Sequence, residues 1–145
     1  MSLEEEFIRP LSVFFFFALM NEEKAISNTI DILDKLKKNS FVKKDKLIEV
    51  IKMATDIVYN SDLKLVYITK SLNENWILPQ GLDIGPWKEF HKKISKEEMI
   101  SLLWTHVIKF DENSVLQALD ISKGTHYYRI SSALKKLGKI TFSLS

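Results

Sequence analysis

The chain predicts an all-α protein: an N-terminal helical unit followed by a C-terminal helix-turn-helix unit. Three observations lead there. Its 145 residues hold only 4 Gly and 3 Pro, too few for the tight turns of an all-β fold or for glycine-rich phosphate loops. Apolar residues recur with a 3.6-residue period in several windows. Cap residues stand where those windows begin. Apolar residues make up 46% of the chain, enough to bury a core, and charged residues make up 28%, an ordinary globular share. The absence of cysteine excludes a disulfide scaffold, a thiolate zinc site and a cysteine nucleophile.

The first helical block is expected over about Leu11 to Asn39. It opens on the apolar run Val13–Met20, which includes four consecutive phenylalanines, Phe14 to Phe17. That run covers roughly 12 Å at about 1.5 Å per residue, far short of a ~30 Å hydrocarbon core. Glu4, Glu5 and Glu6 stand where a signal peptide needs basic residues. The expectation is a buried helix in a cytoplasmic protein with no membrane partner. Asn21 can cap a helix at Glu22, with Glu22 and Glu23 at its positive end and Lys35, Lys37 and Lys38 at its negative end.

A second helix reads from about Lys43 to Tyr59, with Leu47, Val50, Ile51, Ala54, Ile57 and Val58 on one stripe. Leu63 to Thr69 fits strand or helix. Residues 71–93 carry Pro79, Gly81, Gly85 and Pro86 and read as a linker, packed through Trp76 and Trp87. It divides a unit over 1–70 from a unit over 94–145.

The third block starts at a capping box, Ser95 with Glu98 three residues on, and a helix to about Phe110 buries Met99, Ile100, Leu103, Trp104 and Val107. Asp111 to Ser114 supplies caps for a short helix bearing Val115, Leu116 and Leu119. Asp120-Ile121 makes a turn, Ser122 caps a last helix to about Leu137, and Gly138 ends it.

A short helix, a tight turn and a longer helix form a helix-turn-helix pattern, whose second helix can present a face to the major groove. On a helical wheel His126, Ile130, Ala133, Leu134 and Leu137 share one side. Tyr128, Ser131, Ser132 and Lys135 lie opposite, with Thr125 and Lys136 nearer the flank. From Ile121 onward stand Lys123, Arg129, Lys135, Lys136 and Lys139 and no acid, a local charge of +5 that the whole-chain value of +2 conceals.

Residues 94–137 resemble the C-terminal DNA-binding region of bacterial RNA polymerase sigma factors, the small extracytoplasmic-function type in particular. Ala118, Leu119, Asp120, Ile121, Ser122, Gly124, Thr125, Arg129, Ile130, Ala133 and Leu137 carry the likeness. It implies recognition of a −35 promoter element in duplex DNA by Lys123, Thr125, Tyr127, Tyr128, Arg129, Ser132, Lys135 and Lys136. It also implies RNA polymerase core or an anti-sigma-like protein as a partner. Asp120 replaces the family's turn glycine, Leu116 a small residue and His126 a buried valine. Ala18 to Ala25 and the two amphipathic helices that follow keep the order of the polymerase-binding half, but Ser27 and Asn28 stand where acids are expected.

These departures motivate an alternative: a sigma-like interaction module that has lost DNA binding and holds a protein, or a second copy, through Phe14–Phe17 or the linker tryptophans. His126 is expected to be buried with a hydrogen-bond partner. His91, His106 and His126 have no i,i+4 partner, so no metal is expected. No nucleophile, base and orienting group combine, so neither an enzyme nor a cofactor is expected.

Overall fold

The computed structural model describes residues 3–38, 43–61 and 85–143. Among these, every extended regular element is helical: α1 (Leu3–Leu19), α2 (Glu22–Lys38), α3 (Lys43–Asn60), α4 (Gly85–Lys93), α5 (Lys96–Leu102), a π turn (Leu103–Val107), α6 (Glu112–Leu119) and α7 (Lys123–Ser143). The all-α class is as expected. The ambiguous segment Leu63–Thr69 and the linker as far as residue 84, Trp76 included, lie outside the described residues. None of the described helices is long and apolar enough to cross a membrane.

The block expected over Leu11–Asn39 divides at the expected Asn21 cap, and its first helix begins earlier than expected, at Leu3. The chain reverses at Met20, whose φ is 54°, and the Met20 N–H closes α1 on the Phe16 carbonyl at 2.7 Å. Asn21 then caps α2, its Oδ1 accepting from the Lys24 N–H at 3.1 Å. Phe14, Phe15 and Phe16 are buried in the resulting hairpin and Phe17 is half-buried. The proposed partner-binding face at Phe14–Phe17 is therefore core.

The centre of that core is Trp104. Its indole stacks on Phe14 (centroids 3.8 Å apart, planes at 11°) and on Phe110 (5.5 Å, 14°). Its Nε1 donates to Thr55 Oγ1 on α3 at 3.1 Å. Reaching this position interrupts the expected helix 96–110. α5 stops at Leu102 and widens into the π turn, where Ile108 N–H bonds back to the Leu103 carbonyl at 2.8 Å. Lys109 (φ 65°) then turns the chain so that Phe110 returns over the ring. Leu11, Phe14 and Phe15 of α1, Ile32 of α2, Val50, Ile51 and Ala54 of α3, Met99, Leu103, Trp104 and Val115 form one continuous cluster. The units expected over 1–70 and 94–145 thus share a core.

Part of the expected linker is α4. Pro86 sits in its first turn, where a missing N–H costs nothing. Trp87 Nε1 donates to the Phe17 carbonyl at 2.9 Å, and His91 Nε2 lies 2.7 Å from the Ala18 carbonyl. With the Met20 N–H on Phe16, three successive carbonyls at the end of α1 have partners. A second cluster, Phe90, Leu102, Ile130 and Ala133, seats α7 on α4 and α5, with Trp87 and Ile94 touching both clusters.

Removing Trp104 tests the hub. Trp104→Ala is expected to lower unfolding stability by about 3–5 kcal/mol. Trp104→Phe keeps the stacking but deprives Thr55 of its donor and is expected to cost about 1–3 kcal/mol. Urea midpoints of the two variants check both values.

Candidate nucleic-acid interface

The helix-turn-helix expected from the sequence is α6, a turn and α7. Asp111 begins it: its Oδ2 accepts from the Ser114 N–H and hydroxyl, both at 3.1 Å. Val115 is the fully buried residue of α6, which packs against α3. Asp120 takes the left-handed conformation (φ 54°, ψ 51°) and returns its N–H to the Leu116 carbonyl. Aspartate is among the few non-glycine residues that enter this region readily, so its replacement of glycine keeps the turn. Leu116 is accommodated half-buried. Ser122 caps α7: its Oγ accepts the Thr125 N–H at 3.1 Å and donates to Thr125 Oγ1 at 2.9 Å.

The inner face of α7 is His126, Ile130 and Ala133, all buried, against α5 and α4. Glu98 clamps it. The carboxylate that completes the Ser95 capping box, accepting the Ser95 N–H at 3.0 Å, also receives Lys136 Nζ at 2.7 Å. Burial pushes Glu98 up, but hydrogen bonds from Lys136, Ser132 and Ser95 outweigh it and hold the carboxyl down at about 2.

Of the eight residues expected to meet DNA, five are exposed on α7: Lys123, Thr125, Tyr127, Tyr128 and Lys135. Tyr128 is 75% exposed and Tyr127 50%. Lys123 Nζ lies 5.5 Å from the Tyr127 ring centroid. Arg129 is half-buried on the flank. Lys136 is half-buried with its Nζ held by Glu98, and Ser132 is half-buried one turn before it. Leu134, expected on the inner side, is 42% exposed. At 100° per residue it lies between the buried arc and Tyr127. Gly138 does not end the helix, which continues to Ser143.

His126 is fully buried, as expected, but not satisfied. Among the described residues neither ring nitrogen has a hydrogen-bond partner. Glu112, whose charge acts on the ring, has a buried Oε1 that also lacks one. Burial pushes His126 down; Glu112 opposes this, while His106 and Arg129 add to it. Burial also lowers His91, against the Ala18 carbonyl that favours its proton. No group of three or more His, Asp or Glu able to hold a metal occurs among the described residues.

The lowered histidines set a pH dependence. Below about 6.5 the unfolded chain binds protons that the folded histidines refuse, so stability falls as pH drops from there. A second loss follows below 4.5, as the pH approaches the Glu98 value near 2. Thermal melts across this range are expected to show both steps, and His126→Leu to make the first shallower, with His91 supplying the remainder. At Gly138 an added Cβ would meet nothing within 4 Å. Gly138→Ala is expected to raise stability by about 0.4–1 kcal/mol in a urea titration. No family model matches this chain, and neither a curated protein nor a solved structure does.

Proposed function

We propose that the chain is a sigma-factor-like transcription regulator that binds duplex DNA through α6 and α7, with RNA polymerase core or an anti-sigma-like protein as its protein partner. One observation carries this reading: α7 is seated by its His126, Ile130 and Ala133 side and turns its opposite, acid-free side to solvent. Tyr128 and Lys135 on that side are exposed, not covered by α1–α3. The Asp120 turn and the Ser122 cap support it further, because they join the two helices through a tight turn and leave the start of α7 accessible to phosphate.

A second reading has its own observation. Tyr127, Tyr128 and Leu134 are exposed together along α7, and tyrosine-rich faces also serve protein interfaces. With Phe14–Phe16 buried and Trp87 packed, an interaction module would use this face.

Phosphate contacts make duplex binding salt-dependent. Lys123→Glu with Lys135→Glu leaves the Glu98 clamp intact and is expected to abolish binding to promoter-length duplexes in fluorescence anisotropy. Lys135→Ala alone is expected to weaken binding and to reduce the slope of log K against log salt by about 1. Undiminished binding by the double variant would sink the assignment.

A further inference from the structure

Between its two bordering lysines, the outer arc of α7 lacks the exposed arginine, asparagine and glutamine side chains that commonly read base edges. Bidentate recognition uses arginine or lysine on guanine and asparagine or glutamine on adenine. Between Lys123 and Lys135 the exposed positions are Gly124, Thr125, Tyr127, Tyr128, Ser131 and Leu134. Asparagine and glutamine are absent from this stretch, and its one arginine, Arg129, is half-buried on the flank. Thr125 Oγ1 accepts from the Ser122 hydroxyl, which holds its side chain at the start of the helix.

What the face offers instead is apolar and aromatic surface bordered by cations. From Tyr127 to Leu134 it runs about 10 Å at a ~1.5 Å rise. That matches about three base-pair steps of ~3.4 Å. Lys123 stands at one end, beside the Tyr127 ring, and Lys135 at the other. The absence of acids from Ile121 onward suits a polyanion better than an uncharged or basic protein surface. In the major groove one base feature is apolar: the C5 methyl group of thymine.

We infer that this face selects duplexes by their C5 methyl groups, thymine above all, at two or three successive major-groove positions. Tyr127, Tyr128 and Leu134 meet the methyls, while Lys123 and Lys135 hold the phosphates. The inference rests on the proposed duplex binding and adds what is read there.

Replacing thymine by deoxyuridine removes the methyl and keeps the pairing. Anisotropy titrations of the full chain with an A·T-rich duplex and with its deoxyuridine counterpart therefore isolate the contact. Binding is expected to weaken about tenfold without the methyls, as for two buried methyl-sized groups. A G·C-rich duplex is expected to bind more tightly when its cytosines are replaced by 5-methylcytosine. Tyr128→Ala, at an exposed position whose change leaves the thermal melt unaltered, is expected to shrink the thymine–deoxyuridine difference. Lys135→Ala is expected to weaken both duplexes equally and keep their ratio. Equal affinity for the two A·T-rich duplexes overturns the inference and leaves duplex binding standing. Binding of neither overturns both. A change in the sedimentation of the free protein on Tyr128→Ala also overturns it, by making the face a contact between copies.

Discussion

The indole of Trp104 lies between Phe14 from one end of the chain and Phe110 from the other, and its one polar atom finds Thr55 on α3. Much of the architecture follows from seating that ring. A buried tryptophan contributes large apolar area but requires a partner for its N–H. The π turn brings the side chain to α3, and Lys109 accepts an uncommon left-handed backbone so that Phe110 can close over it. Asp111 follows immediately and starts α6. The helix-turn-helix is thus aimed from a residue buried in the middle of the protein.

Orientation of the outer face depends on a second constraint. Glu98 ends an orphan amide at the start of α5 and grips Lys136 on α7 with the same carboxylate oxygen. An exposed ion pair contributes little, but this carboxylate is nearly buried and shared among several donors. It fixes α7 in rotation about its own axis, which decides which residues face outward. His126 beneath the same helix works the other way. Among the described residues its buried imidazole has no hydrogen-bond partner, which is unfavourable.

Legibility in the sequence followed the range of the interaction. The caps at Asn21, Ser95, Asp111 and Ser122 were readable because each bond closes within three residues. The α3 stripe and the helix-turn-helix pattern were readable from period and turn chemistry. The Asn21 cap placed the start of α2, but the reversal at Met20 was not readable, because a left-handed methionine has no compositional signature. α4 was hidden by Gly85 and Pro86, which mark loops as often as helix starts. Gly138 read as a stop, yet it simply continues α7. In the candidate interface, the exposure of Tyr128 and Lys135 followed from the wheel. The Lys136 tether did not, because its partner Glu98 is 38 positions away on another helix.

The end of α1 is finished by side chains of α4: the Phe17 and Ala18 carbonyls meet Trp87 and His91, 70 and 73 positions further along. On the ribosome these partners arrive late. At roughly 5–20 residues per second, several seconds separate the appearance of Ala18 from that of His91. Until then the Phe17 and Ala18 carbonyls lack their α4 partners and Phe17 lacks its covering indole. Vectorial synthesis therefore leaves the end of the first helix unfinished until the second half of the chain has emerged.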